Sequence, residues 1–375
     1  MGFEAAIVSN DRSETNHGCG RNCLGPCCFP GARVPLYLYG EAQCMDTKGE
    51  TIDFLHSFIL APWMEKQKLG LFRYDVTSCE TKILSGDCGF IAQLNEGRHS
   101  KKRPTEFKMD QVLQDFDPSK FNFTKVGQEE ILFSFDPENS SLATSSNMVI
   151  INVSPIEFGH ILLIPRLLDC LPQRLEVNTF IIALQMAKQA NNIYFRLGFN
   201  SLGAFATINH LHFQAYYLEY IFPVEKASKK LLVNHVKGFN IYKLENYPVK
   251  GIIYELGSSN FQELSYQIVT ICNTLEEQNI PYNVLIADKG SQIYLFPQCF
   301  AERQVRGEVE AEILETQVNP AVWEISGHIV LKRKQDFENV TQEYAWKLLA
   351  EVSLNDKAFN KIINLVTNDK YYSKM

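Results

Sequence analysis

The stretch Ile208-Asn209-His210-Leu211-His212-Phe213-Gln214-Ala215-Tyr216 reads as a β-strand. Side chains alternate faces along a strand with a period of two. His210, His212 and Gln214 therefore share one face, and Leu211 and Phe213 share the other. The second face is apolar and suits a core. The first sets two imidazoles and an amide in a row, and each needs hydrogen-bond partners if buried. Three readings fit the row alone. It is a half-buried strand with satisfied histidines, part of a metal site on His210 and His212, or a strand that presents a nucleophilic imidazole. Apart from Glu219, no acidic residue lies close by to complete a metal site.

Upstream, Glu176 to Leu197 repeats apolar residues at helical spacing (Phe180, Ile181, Leu184, Ala187, Ala190, Ile193, Tyr194). Gly198 is placed to stop that helix. Before it, the apolar run Asn147–Val153, a turn through Pro155 and Gly159, and the run Ile161–Arg166 predict a hairpin with Asn152 near a strand end, within reach of a ligand. Further upstream come a helix over 52–68 interrupted by Pro62, two short strands within 71–84, and a strand over 90–95. That strand leads into Arg98, Lys101, Lys102 and Arg103, the densest basic cluster in the chain. Such a run is a phosphate clamp, a solvated loop, or a nuclear-import-like sequence.

Downstream, strands are expected within 238–256, then a helix over 259–278 with Ser259 and Gln262 spaced as a capping box. A hairpin over 281–297 follows, then an acidic exposed segment over 307–317, a strand over 323–332 and two helices near 341–354 and 356–366. Strands, a helix, a hairpin and a Gly-His strand thus recur. The pattern predicts an α+β fold of two similar halves with antiparallel sheets and flanking helices, or one enlarged α+β domain. We expect an irregular arm at 1–30, a histidine-bearing half at 31–225 and a second half at 226–375.

The chain has 375 residues and a formal net charge of −7, which argues against a general nucleic-acid or membrane role. No apolar run is long enough for a membrane span, and the N-terminus does not read as a signal peptide. The ten cysteines are then expected as reduced thiols in the cytoplasm or, given the basic run, also the nucleus. Cys19, Cys23, Cys27 and Cys28 lack the tight C-x2-C pairs of common zinc sites, so they read as surface or packed thiols.

The hairpin INVSPIEFGHILLIP (151–165) resembles the N-x-x-P-x-x-x-G-H-x-L-x-x-P signature of the histidine-triad superfamily. His210-Leu211-His212-Phe213-Gln214 is similar to its histidine strand, and the expected helix lies between. Gln214 stands where hydrolases of the superfamily carry a third histidine, as in its nucleotidyl-transferring branch. The blocks FIAQLNEGRHSKKRPTEF, KFNFTKVGQEE, INHLHFQAYYL, QIYLFPQ and WEISGHIVLKRK resemble the plant GDP-L-galactose phosphorylase family in particular.

That resemblance implies transfer of GMP from a GDP-hexose to inorganic phosphate, in ascorbate biosynthesis. It implies His212 as nucleophile, the His210 carbonyl as its partner, and Gln214 as a donor to a phosphate oxygen. It further implies Asn152 on the ribose, His160 behind it among the substrate-binding residues, and Arg98, Lys102 and Arg103 on phosphate or base. Thr207 stands in for a Gln or Ser that some members carry before the first histidine. The zinc motifs of some uridylyltransferases are missing, so neither a cofactor nor a required metal is expected. A GDP-D-glucose phosphorylase and a non-catalytic nucleotide-binding regulator are the alternatives. The sequence leaves sugar selectivity and oligomeric state, a homodimer included, open.

Overall fold

Strands apolar at every position need cover on both faces, and the hairpin around Asn152 shows how this chain supplies it. The computed structural model describes residues 22–29, 32–40, 54–100, 110–138, 146–236, 238–258 and 260–368. In it, β5 (Met148–Ile151) and β6 (Ile161–Ile164) pair antiparallel, with Ile151 opposite Ile161. Val149, Ile151, Ile161 and Leu163 enter a core beneath the helices. Met148, Ile150, Leu162 and Ile164 enter a separate core on the opposite face with Leu24 and Phe123. The turn between the strands passes Gly159 at φ 70°, a left-handed conformation that favours glycine.

The hairpin belongs to an 11-stranded sheet. On one side of it stand β4 (Ile131–Pro137) and the edge strand β1 (Leu36–Tyr39), which pairs parallel with β4. On the other stand β8 (Phe213–Tyr217) and β7 (Phe195–Asn200). The sheet continues through β12 (Tyr282–Ala287), β13 (Gln292–Pro297), β11 (Ile252–Leu256), β10 (Phe239–Leu244) and β9 (Lys229–Val236). The first half is ordered β4-β5-β6-β8-β7 and the second β9-β10-β11-β13-β12. These are one topology used twice: a three-strand meander, a helix, and a closing pair whose second strand docks beside the third. The helices are α2 (Val177–Ala190) and α3 (Phe261–Glu277). They pack together on one face with α1 (Phe54–Lys68), which tolerates Pro62, and α4 (Asp356–Val366).

Two similar halves are therefore present, but their sheets are not separate. β7 and β12 pair antiparallel and fuse them into one. A second, three-stranded sheet places β3 (Ile91–Leu94) between β2 (Thr81–Ile83) and β14 (His328–Leu331). β14 runs parallel to β3, so the end of the second half enters the first.

Several expected elements differ. The helix ends at Ala190 because Asn191 turns left-handed at φ 45° and Asn192 accepts the Tyr194 amide. Residues 195–200 then form β7. Gly198 is consequently a strand residue, and a Cβ there would lie 2.5 Å from Val322 Cγ1 and 3.1 Å from the Trp323 ring. Its bareness lets Trp323 lie close over the sheet. Trp323 itself is in a short helix, Val322–Ile325, ahead of β14 and not in a strand over 323–332. Only Thr81–Ile83 of the 71–84 region is a strand. Asn260 caps α3 by accepting the Glu263 amide, in the role expected of Ser259, which lies outside the described residues. The acidic 307–317 segment holds a short helix, Ala311–Glu315, with Ile313 buried.

Candidate active site

His212 decides what the site can do, and its surroundings fix it tightly. Residues 208–212 do not extend β8, which begins at Phe213. Their backbone bonds instead to the segment before α2: the Leu211 amide donates to the Leu171 carbonyl at 2.8 Å. Gln173, 2% exposed, grips the His212 peptide from both sides. Its Oε1 accepts the His212 amide at 2.9 Å, and its Nε2 donates to the His212 carbonyl at 3.2 Å and to the Asn200 carbonyl at 3.0 Å. His212 Nδ1 lies 2.9 Å from the His210 carbonyl oxygen. A carbonyl only accepts, so Nδ1 carries the hydrogen and Nε2 keeps its lone pair. Burial pushes the His212 pKa down to about 4, against the pull of that carbonyl. The ring is therefore neutral at neutral pH.

His210 does not share the open face with His212. It is fully buried, and its Nδ1 accepts the Phe123 amide at 3.2 Å between the rings of Phe116 and Phe123. Burial first, then the charge of His212, push its pKa down to about 3. Its side chain thus props the carbonyl, and lines no part of the pocket. The expected alternation of 210 and 212 fails because the chain curls before the strand starts.

Gln214 on β8 does face the pocket. The Trp323 indole N–H donates to its Oε1 at 3.3 Å, while His160 Nε2 lies 3.2 Å from Asn152 Nδ2. The Ile156 amide donates to His160 Nδ1 at 2.8 Å, which leaves the hydrogen on Nε2. The indole on Oε1 leaves the Gln214 NH2 group to donate into the pocket. His160 has no exposure and does not line the pocket, which corrects its expected place among the substrate contacts. It packs behind Asn152, and burial holds its pKa well below the ordinary imidazole value.

Asn152, Thr207 and Arg98 line the same pocket. Asn152 Oδ1 accepts the Ser154 amide at 3.0 Å, and Arg98 Nη1 donates to the Ser154 carbonyl at 2.9 Å. Lys102 and Arg103 lie outside the described residues. The second half adds Asn319, Trp323, Glu324 and Lys332, none of them singled out from the sequence. Lys332 follows β14 and reaches the pocket because that strand joins β3, the strand that leads to Arg98. Burial lowers its pKa, partly offset by Glu324. Reading 323–332 as one strand of a separate half concealed this. Gln173 was hidden because its signal is three hydrogen bonds to backbone.

The site thus has a neutral imidazole of fixed tautomer, an oriented amide donor, and two cations. That set suits nucleophilic transfer of a phosphoryl-type group. Family profiles agree with the architecture. The GDPGP1-like N-terminal domain matches residues 54–216, and the GDPGP1-like C-terminal domain matches 223–371. The chain belongs to the GDPGP1-like family.

Relatives of this family include GDP-L-galactose phosphorylase 1 of Arabidopsis thaliana, 54% identical over 96% of this chain and 86% of that protein. GDP-D-glucose phosphorylase 1 of Danio rerio is 34% identical over 75% of this chain and 81% of its own length. Among solved structures, yeast Ap4A phosphorylase Apa2 in complex with AMP superposes with a TM-score of 0.54 at 13% identity, over 81% of this chain and 98% of that one. This likeness establishes the histidine-triad-like fold expected from the hairpin and histidine strand.

The depressed pKa of His212 has a stability consequence. Below its ordinary value of 6.5 the unfolded chain binds a proton that the folded one refuses until about pH 4. Stability therefore rises with pH through that window and levels off above it. His212→Asn should flatten the slope of unfolding free energy against pH by about 1 kcal/mol per pH unit near pH 5. Urea unfolding at several pH values measures this, and equal slopes would show that the ring protonates freely in the folded state.

Proposed function

We propose that this chain is a GDP-L-galactose phosphorylase: it transfers GMP from GDP-L-galactose to inorganic phosphate through a guanylyl-histidine intermediate, giving GDP and L-galactose 1-phosphate in ascorbate biosynthesis. The observation that carries the chemistry is His212 Nδ1 on the His210 carbonyl, with Gln214 two residues on. The identity of 54% along most of the Arabidopsis enzyme, against 34% to the zebrafish glucose enzyme, favours the galactose substrate.

Product identity decides which phosphorus reacts. If GDP and a sugar 1-phosphate form, the guanosine-side phosphorus is the one attacked. His212 Nε2 donates its lone pair there, the bond to the bridging oxygen breaks, and sugar 1-phosphate leaves with that electron pair. The ring becomes a guanylyl-imidazolium, and its positive charge is opposed by the His210 carbonyl dipole through Nδ1–H. Gln214 donates to a non-bridging oxygen, while Arg98 and Lys332 balance the charge of the leaving phosphate. Asn152 and Thr207 contact the nucleotide. Inorganic phosphate then attacks the same phosphorus, the N–P bond breaks, and GDP forms with the imidazole restored. Gln173 acts by holding the His212 peptide still, since small displacements of a nucleophile are costly.

With labelled GDP-L-galactose, wild type should give a covalent GMP adduct and His212→Asn none, and retained turnover in that variant would remove His212 as nucleophile. Gln214→His should shift products from phosphorolysis toward hydrolysis, read as GMP against GDP. Gln173→Leu should lower kcat about 100-fold with KM moved far less. A panel of GDP-sugars with and without phosphate, following GDP release, tests the substrate. Tight GDP-sugar binding without phosphate-dependent product would instead identify a regulator.

A further inference from the structure

The spacing of Cys23, Cys27 and Cys28 did not read as a metal motif, but the fold gathers them. Their sulfurs all lie within 4.8 Å of one another. Cys23 Sγ to Cys27 Sγ and Cys27 Sγ to Cys28 Sγ are both 3.8 Å. Sulfurs about 2.3 Å from a tetrahedral zinc ion are separated by about 3.8 Å, the edge of that tetrahedron. The turn that brings them together is built by backbone: the Cys28 and Phe29 amides both donate to the Gly25 carbonyl, at 3.0 and 2.9 Å.

The loop is also tied down from outside. Gln128 Nε2 donates to the carbonyls of Cys23 and Cys28, at 3.1 and 3.4 Å. The Leu24 amide donates to the Thr124 carbonyl at 3.1 Å, and the Gln128 amide to the Asn22 carbonyl at 2.9 Å. Bonds of this kind fix the backbone that carries a set of metal ligands. Cys23 is nearly buried and Cys27 is exposed, which gives an ion a closed side and a way in.

We propose that Cys23, Cys27 and Cys28 bind one zinc ion as thiolates and so clip the N-terminal loop onto the wall of the nucleotide pocket. Three thiol protons leave as the ion enters. Thiolates select zinc over magnesium or calcium, which prefer oxygen. The clip has a place to act. Leu24 packs in one small core with Phe123 and Val126, both of which line the pocket. The Phe123 ring meets His212 edge-on at 5.0 Å between centroids, and its amide holds His210. The proposed zinc is a strut remote from the reacting atoms and takes no part in bond making.

Elemental analysis of the untagged full-length chain should give about one zinc per molecule. In Cys27→Ser it should fall about tenfold or more, and in Cys79→Ser, outside the cluster, it should not change. Wild type needs no variant for a second test: titration with an organomercurial should release zinc in step with thiol modification, and cobalt exchanged for zinc should give a thiolate-to-cobalt charge-transfer band. A wild-type chain without bound zinc, whose thiols react equally with and without chelator, would overturn the proposal. So would a mass lower by two hydrogens from a Cys23–Cys27 disulfide, or copper in place of zinc.

Discussion

One hydrogen bond, from His212 Nδ1 to the His210 carbonyl, organises this half of the molecule. A free imidazole exchanges its proton between two nitrogens, and only one of the two forms has its lone pair on the pocket side. Holding the other form away requires an acceptor that cannot move and cannot donate. The chain supplies it as a peptide carbonyl, and then spends His210, Phe116 and Phe123 on keeping that peptide in place. Gln173 does the same for the peptide of His212 itself. Two buried polar side chains and two aromatic rings thus serve one proton position.

The two halves have the same strand order but unequal chemistry. Leu162 of β6 is opposite Gln214, and Ile253 of β11 is opposite Tyr294. Tyr294 therefore occupies the place of Gln214, and Gln292, two residues earlier, that of His212. No imidazole stands there, and the Tyr294 hydroxyl donates to Gln292 Oε1 at 2.8 Å. The second half has exchanged a reactive row for a packed one. What it returns is cover. On the face opposite the helices, one core spreads from the N-terminal loop and another from the second half, and the pocket opens where they meet. Trp323 at that seam packs against Tyr216 with the rings tilted, 4.3 Å between centroids, and bonds Gln214.

Much of this was legible in residue patterns. The hairpin at 148–164 is written in an unbroken apolar run around Pro155 and Gly159, and its paired strands match the expected ones closely. His212, Gln214, Asn152, Thr207 and Arg98 line one pocket, and each sits on, or beside, an element with a strong local signal. The misses share one cause: they depend on contacts far apart in the chain. Gly198 looks like a helix stop until Trp323, 125 positions later by number, is seen to need its missing side chain. Lys332 looks like the end of a distant strand until β14 is found beside β3. His210 looks like a partner of His212 on one face because alternation assumes a strand, and the chain leaves strand geometry at that point.

The parallel pairing of β14 with β3 joins His328 to Ile91 across most of the chain's length. Contacts of such sequence separation form only after the intervening loop has been closed, and so tend to come late. During synthesis the histidine and its supports emerge long before Trp323 and Lys332 do. A nascent chain would hold a poised imidazole with no amide orienter above it and one cation short. Assembly of the pocket is thereby tied to its latest strand: a chain that stops short of it lacks both the indole that bonds Gln214 and one of the two pocket cations.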